Sequence, residues 1–299
     1  MVSSPLTGKP ALLLEEVPTI EIAQKYKKEL DLDVNYIFQG HKTLQRYLCR
    51  ETGYSFFYPF DLAGDGKFYS KLQQFDWYYM PWKWEHNFAL SMIRNGMKIL
   101  EIGCGTGGFI NKISSLRDVE VVGLELNEEA VAAARTSGAN VLNNTVQEFS
   151  VNHAETFDVV CSFQVLEHIS DVDSFIRSSV ECLKKGGKLI VSVPNNDSFI
   201  KYADYPLNLP PHHMGHWTYN SLKNVAPLYN LEFENAVFEP LQHYHIDWYL
   251  HVMMNDKARF SFFFKMLSKF RLNKAFSLLH KRADFNIKGH SITAVYTKS

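Results

Sequence analysis

An apolar run, Met97–Ile102, stops at Gly103-Cys104-Gly105-Thr106-Gly107-Gly108, and helical spacing resumes over Phe109–Leu116. Glycines let the backbone turn tightly between a strand and a helix, and no Cβ then blocks a ligand from lying against the loop. The start of the helix presents unpaired N–H groups to that ligand. Further apolar runs follow: Val119–Leu126, the weaker Asn140–Val146, Phe157–Phe163 and Gly187–Val193, with helical spacing over Glu128–Arg135 and Asp171–Leu183. Near-continuous apolar strands imply burial on both faces, hence a parallel sheet with helices on either side. Leu231–Phe238 and Ser291–Thr297 read as a late strand pair that adds an antiparallel edge. The expected fold is α/β: a doubly wound, mostly parallel, seven-stranded Rossmann-like sheet with an antiparallel last strand.

The flanks read differently. Residues 1–86 are aromatic-rich and otherwise irregular, with a helical patch at Ile20–Leu30, and the rings from Tyr54 to Trp84 must bury against something. They read as a packed cap or as a lid over a ligand. Residues 87–299 form the second unit, with a helical insertion at about 241–285. Of 299 residues 46% are apolar, enough for a packed core, and a net charge of -1 argues against a nucleic-acid partner. Cys49, Cys104, Cys161 and Cys182 form no Cys-x-x-Cys pair, so reduced thiols in a cytoplasmic protein are expected. The acidic start is a poor signal peptide, and no stretch approaches the roughly 18 apolar residues of a membrane span.

The glycine loop alone is ambiguous. Gly103, Gly105 and Gly108 also satisfy the dinucleotide pattern G-x-G-x-x-G, and Glu125, closing the second strand, suits the ribose of either NAD(P) or S-adenosylmethionine. Glu101 favours the latter. A carboxylate two residues before the first glycine would repel a pyrophosphate but suits an ammonium and a sulfonium.

Four segments carry a resemblance. Glu-Ile-Gly-Cys-Gly-Thr-Gly (101–107), Val-Val-Gly-Leu-Glu-Leu (121–126), Phe-Asp-Val-Val-Cys-Ser-Phe-Gln-Val-Leu-Glu-His-Ile (157–169) and Leu-Lys-Lys-Gly-Gly-Lys-Leu-Ile-Val-Ser-Val-Pro-Asn (183–195) resemble, in order and spacing, the motifs of class I S-adenosylmethionine-dependent methyltransferases. They are close to the subgroup that includes ubiquinone-biosynthesis O-methyltransferases. The resemblance implies a methyltransferase with S-adenosylmethionine as cofactor. It places Gly103, Gly105 and Gly107 beside the methionine part with Glu101 close by, and Glu125 on the ribose hydroxyls. It also places Val146 and Gln147 at the adenine, and Ser162 and Gln164 near the amino end. Tyr78, Tyr79, Trp82 and Trp84 resemble the lid of these relatives, and rings such as Tyr79 and Trp84 can face a sulfonium.

A hydroxyl acceptor needs a base, and histidine is the natural candidate. Pro210-Pro211-His212-His213-Met214-Gly215-His216 follows the fifth strand and should overhang the strand ends. His213, then His212, are the candidate bases or acceptor-positioning groups, with His168 a second candidate; capping or backbone bonding is the alternative for each. No metal is expected, because no acidic residue lies in that loop. Lys257–Arg282 holds eight Lys or Arg and no Asp or Glu, which reads as a docked surface helix or as a peripheral contact with a lipid surface, a carrier protein or an anionic substrate. The acceptor is then a small molecule or a carrier- or lipid-linked one, with methylation at oxygen. An NAD(P)-dependent oxidoreductase and a non-catalytic S-adenosylmethionine-binding protein are the alternatives.

Overall fold

The computed structural model describes residues 1–75, 78, 80–255 and 287–299. The glycine loop lies between β4 (Lys98–Ile102) and α4 (Gly108–Leu116). The chain continues through β5 (Glu120–Leu124), α5 (Glu128–Thr136), β6 (Val141–Leu142), α6 (Val146–Ser150), β7 (Phe157–Phe163), α7 (Val172–Cys182) and β8 (Leu183–Pro194). It ends with α8 (Tyr219–Val225), β10 (Leu231–Pro240), α9 (Ile246–Asn255) and β11 (Lys288–Lys298). Among the described residues one sheet has seven strands in the order β6-β5-β4-β7-β8-β11-β10. The pairs from β6 to β8 are parallel, while β11 runs antiparallel to both β8 and β10.

Alternate strand residues feed two layers, as pleating requires. Leu100 of β4, Val160 of β7 and Val191 of β8 join α6, α7 and α8 in one apolar cluster. Ile99, Val159, Cys161 and Ile190 join α4 and α5 in the other. Both sheet faces are therefore dry, which is why these strands are continuous apolar runs in the sequence.

The N-terminal stretch differs from its irregular reading. After α1 (Thr19–Leu30) is set aside, it contributes β1 (Leu12–Pro18), β2 (Thr43–Leu48) and β3 (Ser55–Tyr58), and it continues into α2 (Gly66–Leu72) and α3 (Trp84–Met92). These strands form a second, antiparallel sheet in the order β1-β2-β3-β9, where β9 is Gly215–His216 from the histidine loop. The pattern is illegible because β3 is buried on both faces: Phe56 packs into the main core and Phe57 into the cap's own cluster with Ile22, Tyr26 and Phe68. Tyr54 lies 4.2 Å from the ring of Trp217, so cap and main sheet share a core. All four cysteines are buried and unpaired. No helix among the described residues is long and apolar enough to cross a membrane. The basic stretch 257–282, and the insertion beyond α9 as far as residue 285, lie outside the described residues.

Two loop glycines are required by geometry. Gly103 has φ 74°, and a Cβ there would stand 2.3 Å from Val165 Cγ2. Gly107 has φ 79°, and its Cβ would meet the Cβ of Ala139 at 2.9 Å and that of Ala134 at 3.2 Å. Gly107→Ala is therefore expected to cost about 1–3 kcal/mol through left-handed strain and crowding of α4 against α5. The midpoint of urea unfolding, at unchanged slope, measures it; a midpoint equal to the parent's would contradict this packing role.

Candidate active site

The carboxyl ends of β4 and β7 open onto a cavity of about 860 Å³. On one wall lie Glu101, Gly103, Cys104, Gly105, Thr106 and Gly108; on another Gln164, Glu167, His168, His212 and His213; Lys83, Glu85, His86, Glu239 and Ser291 are also part of its lining. A volume of this order accommodates a drug-sized ligand.

Glu101 is 4% exposed, and its Oε2 has no hydrogen-bond partner among the described residues. Burial pushes its carboxyl up to about 8, with a further push from Glu125. A buried, unpartnered carboxylate is costly, and a bound cation relieves that cost. Glu125, half-buried at the end of β5, accepts N–H groups from Gly105 at 2.9 Å, Leu126 at 2.9 Å and Asn127 at 2.8 Å. It ties the turn after β4 to the turn after β5.

Gln164 leaves β7 with a left-handed φ of 59°, uncommon for a residue other than glycine. Its Nε2 donates to Glu85 Oε1 at 3.3 Å and to Ser291 Oγ at 3.2 Å. Three positions on, the Glu167 carbonyl accepts the Met214 N–H at 2.8 Å, while the Phe57 N–H donates to the Met214 carbonyl at 2.9 Å. The histidine loop is thus clamped between the β7 end and the cap sheet. This brings His168, His212 and His213 together, with ring centroids 4.4 to 5.1 Å apart. Burial lowers the pKa of His168 to about 4 and those of His212 and His213 well below the usual range, so the rings are neutral at physiological pH.

The cavity therefore gathers Glu101, Gly103, Gly105, Gln164, His168, His212 and His213. Other expected residues stand apart from its lining. Gly107 serves helix packing, and Glu125 stands next to the lining, bonded to the Gly105 N–H. Val146 and Gln147 open α6, with Val146 in the core. Ser162 is buried in β7, paired in register with Ile102 of β4. Trp84 begins α3 and stacks on Phe88, whereas its neighbours Glu85 and His86 face the cavity. Tyr79 lies outside the described residues. Glu85 and His86 were detectable in principle, since helical spacing places them on the buried face of α3 with Ala89. Glu239 and Ser291 carried no such signal, because only the β10–β11 pairing brings them to the cavity.

Strand order, glycine turn and acidic residues together define a class I methyltransferase-type α/β domain. Residues 77–236, more than half of the chain, match the family model described as a methyltransferase domain, and the chain belongs to that family. The family and the fold imply S-adenosylmethionine as the cofactor. A ubiquinone biosynthesis O-methyltransferase of Cronobacter sakazakii is 30% identical over 162 residues, covering 50% of this chain and 64% of that protein. Its counterpart in Marinobacter nauticus is 33% identical over 135 residues, covering 41% and 56%. The chain thus spans less than two thirds of these relatives' length. The crystal structure of the [4+2]-cyclase SpnF shares the fold with a TM-score of 0.50 at 14% identity, over 94% of this chain and 97% of that one.

Proposed function

We propose that this protein transfers a methyl group from S-adenosylmethionine to an oxygen atom of a small or medium acceptor. One observation carries the reading: a single cavity joins the unpartnered Oε2 of Glu101 and the glycine turn to three neutral histidines, the buried His212 and His213 and the half-buried His168. Glu101 would hold the cofactor's ammonium, the backbone at Gly103 and Gly105 its methionine part, and Glu125 its ribose. The bound cofactor supplies a methyl group already activated on a sulfonium. The chain's own task is to position an acceptor oxygen in line with it and to keep water out. His213, then His212, with His168 behind them, orient the acceptor hydroxyl and accept its proton. The names of the relatives, O-methyltransferases, support oxygen as the accepting atom.

Calorimetry with S-adenosylmethionine should show saturable heat, and labelled cofactor should pass its methyl group to a fraction of a cell extract. Heat with NADH and none with S-adenosylmethionine would overturn the reading in favour of an oxidoreductase. Binding without any labelled product would leave a non-catalytic binding protein.

A further inference from the structure

We propose that His168, His212 and His213 form a binding site for one divalent transition-metal cation of the zinc type, each offering one ring nitrogen, with Glu167 as the adjacent carboxylate. Nitrogens of the three rings all lie within 4.8 Å of one another. Their tautomers are set by what each Nδ1 faces. In His168 it faces the His212 carbonyl at 2.6 Å, in His212 the Leu207 carbonyl at 2.9 Å, and in His213 the Asn208 Oδ1 at 3.2 Å. A carbonyl oxygen can only accept, so each Nδ1 carries the proton and each Nε2 carries a lone pair. A metal-ligating histidine that donates its other N–H to a carbonyl is the arrangement that orients such ligands.

Two further atoms want a partner. His212 Nε2 is buried with no hydrogen-bond partner among the described residues, and so is Glu167 Oε2. Glu167 is 1% exposed, and its Oε1 lies 3.8 Å from His168 Nε2. The histidine loop contains no acid, but the Met214–Glu167 backbone bond delivers one from the β7 end. Three imidazoles and a carboxylate suit zinc-type ions over magnesium or calcium. Zinc–nitrogen bonds of about 2.0–2.1 Å hold tetrahedral ligands about 3.3–3.4 Å apart, so modest side-chain rotations must draw the rings inward.

The site opens onto the proposed acceptor cavity, and its chemical consequence rests on the methyltransferase reading. A nitrogen that ligates a cation takes no proton from the acceptor. With the ion bound, a coordinated hydroxyl becomes more acidic through the ion's charge, and its proton passes to the adjacent Glu167 carboxylate, the histidines then serving as ligands in place of the base role. The acceptor class then narrows to one whose oxygen can become a metal ligand.

The test is calorimetric titration of the chelator-stripped full chain with Zn2+, with S-adenosylhomocysteine titrated separately. One Zn2+ per chain is expected, with a Kd of about 1 μM or tighter. Co2+ in its place should give visible absorption bands of a tetrahedral site. His213→Ala should weaken Zn2+ by more than the roughly 10–100-fold that loss of an outer-shell partner costs. His153→Ala, on a ring stacked against Phe149 outside the cluster, should leave Zn2+ affinity unchanged. The unfolding midpoint of His213→Ala and its retained S-adenosylhomocysteine binding show that it is folded. Zn2+ binding equally well to the parent and to folded His213→Ala, or S-adenosylhomocysteine binding without Zn2+ binding, would overturn the metal site alone. Zn2+ binding that is lost in His213→Ala, with no binding of S-adenosylhomocysteine to the parent, would uphold the metal site and remove the cofactor reading.

Discussion

Glu125→Ala is expected to weaken S-adenosylhomocysteine binding by about 100- to 10,000-fold. Hydrogen bonds to a charged acceptor contribute about 1.5–3 kcal/mol each, and two ribose hydroxyls would donate to this carboxylate. The unliganded protein already shows the geometry that makes such a grip stiff: the same carboxylate accepts the N–H groups of Gly105, Leu126 and Asn127. Removing it releases the turn after β4 as well, so a stability loss of about 1–3 kcal/mol should accompany the loss of affinity. Glu125→Gln separates the two effects. Its single amide oxygen can still brace the Leu126 and Asn127 N–H groups, but it no longer offers charge to the ribose, so affinity should fall further than the unfolding midpoint. Calorimetry and urea unfolding on the same preparations supply both readouts. Affinity of Glu125→Ala within about threefold of the parent, far less than one charged hydrogen bond contributes, would show that the ribose lies elsewhere.

The sequence exposes the central sheet because its strands are dry on both faces. The run Phe157–Phe163 is the strand itself, since Val159, Cys161 and Phe163 fill one layer while Phe157 and Val160 fill the other. The cap sheet follows no such rule. Residues Leu12–Glu16 of β1 are exposed throughout and show no alternation, and β3 is too short and too aromatic to separate a strand from a loop. The site divides along the same line. Glu101 and its glycines are contiguous, so one motif reveals them. His168 and His212 are 44 positions apart and meet only because a backbone bond clamps two loops that no local pattern couples. Trp84 and Glu85 show a subtler limit: the right segment was recognisable, but which side of α3 faces inward depends on a start position that motif likeness does not specify.

The second large effect concerns the proton on Glu101. Burial, reinforced by Glu125, raises its folded-state pKa to about 8, with Lys83 opposing. An unfolded glutamate titrates near 4.3, so the folded protein holds this proton to higher pH than the unfolded chain does. Stability from this group is complete below about pH 4.3, falls as pH rises toward about 8 and is flat beyond, a loss on the order of 5 kcal/mol. Glu167, at about 8, and Glu239, at about 7, act in the same direction, so the difference between the parent and Glu101→Gln isolates the single group. The variant should have a flatter profile of urea midpoint against pH and should be the more stable protein at pH 8. Cofactor binding reverses the balance, because an ammonium beside Glu101 favours the ionised form. At pH 7 S-adenosylmethionine should therefore displace a proton, read as a dependence of the binding heat on buffer ionisation enthalpy, and its affinity should climb between pH 7 and 8. Glu101→Gln should abolish the proton release and most of the pH dependence. Identical proton release from the parent and the variant would mean that the cation sits on another acid, and the assignment of Glu101 to the cofactor would fail.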